Sequence, residues 1–141
     1  MRRKEEKRIT LAEREEKIMQ AEECVRAHGN KEALALFRIM RETGIRMNDL
    51  LDLTPENISG RELRVVESKF GGNRWYRCAD GSYPVISDET WELLQLGEDG
   101  KYFHHTRDYF VRLFRKVIGD KRFMCHELRR LAIDSGKIKI E

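Results

Sequence analysis

Glu42-Thr43-Gly44-Ile45-Arg46-Met47-Asn48-Asp49-Leu50-Leu51-Asp52-Leu53 is the stretch on which the reading of this chain turns. A glycine sits between two apolar, helix-forming runs. Gly44 is the natural residue to end the first run, because it takes a positive φ without a steric penalty. Asn48 is a plausible cap for the second, with Leu50, Leu51 and Leu53 turned inward. Arg46 therefore projects from a tight junction between two helices.

Upstream of that junction, Lys31 to Thr43 is apolar on most sides (Leu34, Leu36, Phe37, Ile39, Met40) and reads as a buried helix. Before it, Thr10 to His28 carries a stripe of Leu11, Ile18, Ala21, Cys24 and Val25, and Gly29-Asn30 ends that helix. Residues 1–9 form a basic, flexible arm, and residues 10–141 a single domain.

Downstream the character changes. Leu63 to Val66, Trp75 to Cys78 and Tyr83 to Ile86 read as strands, separated by the turn signals Gly71-Gly72 and Asp80-Gly81. Pro84 places the last strand at an edge. Helices return with Ser87 as a cap and Trp91, Leu93 and Leu94 as packing residues. Thr106 caps the next one, whose apolar stripe is Phe110, Leu113, Phe114, Val117 and Ile118. A last helix runs from about Cys125-His126 to Ser135, and the tail after Gly136 is suited to a short strand. The expected class is α+β and mainly helical, with a small three-stranded antiparallel sheet packed against helices.

Composition narrows the function. Charged residues are 38% of the chain and hydrophobic residues 40%, the balance of a soluble globular domain. No apolar run approaches a membrane span, so no membrane partner is expected. Three widely spaced cysteines without a CxxC argue against a zinc site or a disulfide framework. They fit a reducing, cytoplasmic setting, with no metal and no small-molecule cofactor. The net charge is only +3, but residues 101–141 hold eleven Lys/Arg against five Asp/Glu, whereas residues 29–100 hold nine against thirteen. A basic final third suits a polyanion such as DNA, or else marks solvated helix faces.

Two arginines and a histidine carry the sharper reading. His126 and Arg129 stand three apart and share one helix face. Brought together with Arg46, they would form a phosphate pocket, since the planar guanidinium fork binds phosphate bidentately and imidazole moves a proton near neutral pH. Asp49 would orient a group of that pocket. Taken singly, each residue has an ordinary alternative: a surface pair for His126 and Arg129, a salt bridge to Asp49 or Asp52 for Arg46, and a solvated turn lysine for Lys69.

The order of these segments resembles the catalytic domain of the tyrosine recombinases, the phage-integrase family. Thr43-Gly44-Ile45-Arg46 through Asp49-Leu50 to Leu53 matches that family's TG-x-R-x-x-E/D-L-x-x-L segment. Pro84-Val85-Ile86-Ser87-Asp88-Glu89 matches its VPLSDE phrase, and His126-Glu127-Leu128-Arg129 its H-x-L-R segment. The likeness covers residues 31–135. It implies that Arg46 and Arg129 clamp a scissile phosphate, that His126 assists proton transfer, that Lys69 is the general acid, and that Asp49 supports the site. Arg74 or Arg77 is the alternative to Lys69, because fourteen residues separate Lys69 from the Pro84 phrase, more than the family's short hairpin needs. Further contacts to DNA phosphates are expected from Arg74, Arg77, Arg107, Arg112, Arg115, Lys116 and Arg130. The family's nucleophilic tyrosine follows its H-x-x-R segment, whereas Tyr76, Tyr83, Tyr102 and Tyr109 all precede Arg129. The implied protein binds DNA backbone through a partial recombinase site and does not cleave and rejoin strands alone, with other recombinase subunits as further partners. The alternatives are a non-catalytic DNA-binding or regulatory module of the same fold, and a helical protein-interaction domain.

Overall fold

The computed structural model describes residues 10–72, 74–120 and 125–138; the basic arm and the end of the tail lie outside them. Thr10 caps the first helix, α1 (Leu11–His28), through a reciprocal box: its hydroxyl accepts from the Glu13 N–H while the Glu13 carboxylate takes the Thr10 N–H. The buried face of α1 is Ile18, Ala21 and Val25. The expected stripe is too wide, since Leu11 and Cys24 are exposed, and its missing member is a carboxylate, the buried Glu22.

The next helix, α2 (Lys31–Thr43), is capped by Asn30 and buried without a break from Ala33 to Met40. It is the axle of the molecule. It packs against α1, against the short α3 (Met47–Leu50), and against α4 (Asp88–Leu93), α5 (Arg107–Ile118) and α6 (His126–Asp134). Phe37 meets Phe114 of α5 edge-to-face at 5.5 Å between ring centres, and both rings are fully buried. Each contributes about 2–3 kcal/mol by leaving water. Helix α3 starts two residues earlier than Asn48 would place it: Arg46 is the extended cap residue, and its carbonyl accepts from the Asp49 and Leu50 N–H groups to close the first turn.

The Arg38 side chain points into the core and is held there by ions. Its guanidinium donates to Glu22 at 2.6 Å, to Glu42 at 3.0 Å and to the Thr90 hydroxyl at 2.9 Å. Arg41 adds a second cation to Glu22, at 2.7 Å. Glu42 in turn accepts the N–H and hydroxyl of Ser87, the residue that caps α4. One network thus ties α1, α2 and α4 together, and every buried side-chain polar atom among the described residues has a partner.

The three-stranded sheet is not formed as expected. Two separate two-stranded antiparallel ladders stand in its place: β1 (Ile58–Ser59) with β2 (Glu62–Leu63), and β3 (Val66–Glu67) with β4 (Arg74–Trp75). The expected continuous strand from Leu63 breaks at Arg64, whose N–H and carbonyl are both taken by Asn57 rather than by a neighbouring strand. The Pro84 segment lies alongside β2 and makes only a single bridge, Glu62 to Val85, flanked by bonds from Leu63 to the Pro84 carbonyl and from Ile86 to the Arg61 carbonyl. Proline has no N–H with which to extend the ladder. Of the tail, Ile138 forms a bridge with Cys78. No helix among the described residues is long and apolar enough to cross a membrane.

Replacing Arg38 by Ala strands Glu22 and Glu42 beside each other in the core. Urea unfolding is expected to show a loss of about 3–5 kcal/mol.

Candidate anion-binding site

The site begins with the end of α2. Gly44 adopts φ +76°, and its N–H closes the helix on the Met40 carbonyl. A side chain here would collide with Ile138 and Ala132, 2.6 and 2.9 Å from where a Cβ would stand. The turn reverses the chain and leaves Arg46 half-buried at the head of α3. The buried carbonyl of Gly44 is taken by Arg129, whose Nη1 donates to it across 2.9 Å. Arg129 belongs to α6 and is itself buried. The junction therefore brings together two guanidinium groups that lie 83 positions apart in the chain.

An open cavity of about 130 Å³ lies against them. Arg46, Arg107, His126 and Arg129 supply its polar lining, and Met40, Ile45, Met47 and Cys125 its apolar wall. His126 is exposed at the first position of α6, one turn before Arg129. Arg107 enters from the first position of α5 and has no carboxylate partner among the described residues.

Behind the arginines stands an acceptor set. Glu67, at the end of β3, reaches Arg46 Nη1 with its Oε2 at 2.6 Å, and the same oxygen lies 3.7 Å from Arg129 Nη2. The Tyr76 hydroxyl accepts from the Arg46 N–H at 3.3 Å and donates to Asp49 at 2.6 Å. Asp49 is held from its other side by the hydroxyl of Ser68. The Arg129 guanidinium lies over the Tyr76 ring at 5.6 Å.

These interactions move the two arginines in opposite directions. Burial works against the charge of Arg46, but the bonds to Glu67 and Tyr76 outweigh it and its pKa rises. Burial lowers the pKa of Arg129, and the nearby positive charge of Arg46 lowers it further. The difference follows first from the deeper burial of Arg129, and then from distance, since Glu67 bonds Arg46 directly and stands farther from Arg129. Arg129 is thus a buried cation that its own protein neutralises incompletely. Burial pushes the Cys125 thiol up to about 11, so the cavity holds a neutral thiol near pH 7.

The other residues singled out from the sequence fall outside the cavity lining. Lys69 is exposed in a single 3-10 turn, Ser68–Phe70, directly after β3. Arg74 is half-buried on β4. Arg77 stacks on Tyr83 at 4.1 Å and donates to the Gly81 carbonyl. Arg112, Arg115 and Lys116 are exposed on α5, with Arg112 paired to Asp108, and Arg130 is exposed on α6. Two residues at the site were not anticipated, Glu67 and Tyr76. Glu67 had a legible signal: Leu63, Val65 and Glu67 alternate, and all three are buried, so the carboxylate sits on the inward side of an otherwise apolar row. Among the described residues no cluster of His, Cys, Asp and Glu is suited to a metal ion.

Comparison with family models, with curated protein sequences and with solved structures found no significant match to this chain.

Tyr76 gives the site a signature at alkaline pH. Burial, then the hydrogen bond to Asp49, push its hydroxyl from 10.0 up to about 12. The folded-state value lies above the unfolded one, so the stabilisation is complete below pH 10 and is lost as the pH rises through 12. Urea unfolding across this range is expected to show the wild-type chain losing about 2 kcal/mol more than Tyr76→Phe. Equal losses in the two proteins would mean that the hydroxyl is not held as described.

Proposed function

We propose that this chain is a DNA-binding protein of the tyrosine-recombinase type, in which Arg46, Arg129 and His126 hold a backbone phosphate. The observation that carries the reading is the shared cavity: three side chains from two distant segments line one opening, and two of them are guanidinium groups. Arginine forks aimed at one spot suit the oxygens of a phosphodiester and stabilise the charge that develops there during phosphoryl transfer. His126 stands at the rim, where imidazole meets a phosphate oxygen or relays a proton. Asp49 acts through Tyr76, whose hydroxyl it orients toward the Arg46 backbone. The small ladders between two helical segments are compatible with the recombinase-like architecture.

These residues by themselves are not expected to cut DNA. Tyr76 is the tyrosine nearest the arginines, but it is buried, its hydroxyl is committed to Asp49, and its ionisation is suppressed, which makes it a wall and not a nucleophile. Tyr83, Tyr102 and Tyr109 do not line the cavity. The partners in this reading are DNA phosphates and further recombinase subunits, and the three free cysteines suit the reducing cytoplasm.

A second reading rests on the exposed basic face of α5. In it Arg112, Arg115 and Lys116 track the DNA backbone, and the arginine cavity is not used.

Fluorescence anisotropy with a labelled duplex over a salt series separates the two. Arg46→Ala with Arg129→Ala is expected to weaken binding at least tenfold, charge-assisted bonds being worth about 1.5–3 kcal/mol each. The salt slope should fall by about one for each phosphate that the variant no longer neutralises. Affinity unchanged in this double variant, together with weaker binding in an α5 variant lacking Arg112, Arg115 and Lys116, would favour the second reading. On a nicked suicide duplex no covalent adduct is expected, and an adduct would contradict the assignment of Tyr76 as a wall.

A further inference from the structure

We infer that Glu67 is a positioning residue of the anion site: its single carboxylate oxygen holds the two guanidinium groups on a common target. The inference rests on the phosphate reading above, but it concerns a residue that the recombinase likeness does not assign. Two arginines that share a small, partly dehydrated space repel one another, and Arg46 already depresses the pKa of Arg129. Two further acceptors of the pair are neutral. Arg129 donates to a neutral carbonyl, that of Gly44, and Arg46 to the neutral Tyr76 hydroxyl. Asp49 is turned to Tyr76 and Ser68. Glu67 lies within salt-bridge distance of both, through the same Oε2, at 2.6 and 3.7 Å.

Its placement shows which face it serves. The Glu67 side chain is 9% exposed and takes no part in lining the cavity, whereas both of its arginines do. The carboxylate therefore grips the guanidiniums from behind and leaves their cavity side for an incoming anion. A carboxylate in the cavity itself would compete with phosphate; one behind the pair pre-organises it and limits the reorganisation needed on binding. Glu67 is backed by a ladder, pairing through β3 with Arg74 of β4, so the brace is anchored in backbone hydrogen bonds.

The sign of the expected effect is unusual. Removing a negative charge near a polyanion site ordinarily strengthens binding. Here removal of the brace lets the guanidiniums part, and binding weakens. The full chain is titrated into a labelled duplex for wild type, Glu67→Gln and Glu67→Asp, with thermal unfolding recorded for each. Glu67→Gln is expected to weaken binding by about five- to tenfold, and Glu67→Asp by about threefold, because it keeps the charge but withdraws the bridging oxygen. In an Arg46→Ala background the further effect of Glu67→Gln should shrink to less than about twofold, as coupled residues require.

A merely structural role would lower thermal stability without this coupling to Arg46. A long-range charge effect would leave Glu67→Asp at wild-type affinity and make Glu67→Gln bind more tightly. Either pattern overturns the inference. Should Glu67→Gln fail to fold, Glu67→Asp decides alone: wild-type affinity in that variant overturns the inference, and weaker binding at intact stability supports it. Failure of the phosphate reading looks different, since duplex affinity would then be indifferent to Arg46→Ala with Arg129→Ala as well.

Discussion

The arrangement of this protein depends on how tightly the chain turns at the end of α2. Gly44 takes a left-handed conformation with the side chains of Ile138 and Ala132 filling the space a Cβ would need, and its carbonyl is left outside the helix's own hydrogen bonds. Any other residue would be strained by its φ and would push the tail and α6 away. With glycine in place, the unsatisfied helix-end carbonyl becomes the acceptor for Arg129, and the reversed chain delivers Arg46 two residues later. A steric condition at one position thus sets the distance between two charges. The helix terminus, usually satisfied by water or a local cap, is here satisfied by a buried side chain from α6.

A second constraint holds the axle itself. Arg38 is surrounded by Glu22, Glu42, Ser87 and Thr90 inside what is otherwise an apolar assembly of α1, α2 and α4. A buried ionic cluster of this kind adds little net stability, because dehydration opposes the attraction between the ions. Its effect is on geometry. Apolar helix faces slide and rotate against one another at small cost, whereas a guanidinium with four fixed acceptors accepts one register. The orientation of α2 fixes where Gly44 and Arg46 emerge, so this network sits upstream of the site although it lies on another face of the helix.

At the site the charges are balanced unevenly. Two cations are drawn together by backbone geometry, and acidic groups from the ladder region and from α3 answer them to different degrees. Arg46 is well neutralised; Arg129 is not, and it stands as a buried cation beside an opening that Arg107 and His126 also face. An anion at the opening would offset the positive charge gathered there. Basic residues on the outward faces of α5 and α6 would add long-range attraction for a polyanion, with little influence on where it is gripped.

Much of this could be read along the chain. Helix caps at Thr10, Asn30, Ser87 and Thr106 and helix-ending glycines at 29, 44 and 119 are local signals, set by hydrogen bonds within a few residues and by the steric freedom of glycine. The Phe110, Phe114 stripe and the all-round burial of α2 follow from periodicity alone. Even the pairing of Arg46 with Arg129 and His126 was legible as an ordered set of motifs. What periodicity could not supply was any partner chosen across space. The stripe of α1 gives no signal for the burial of Glu22, which follows from its pairing with Arg38 and Arg41 of α2. The continuous strand from Leu63 was undone by Asn57, which claims both backbone groups of Arg64. Lys69 lies in a solvent-facing turn, while its neighbour two residues earlier, Glu67, reaches both arginines. Local sequence determines which backbone groups and faces are satisfied within an element; only the tertiary structure decides which buried charges meet, because a dehydrated ion takes its partner from whatever the fold brings within a few ångströms.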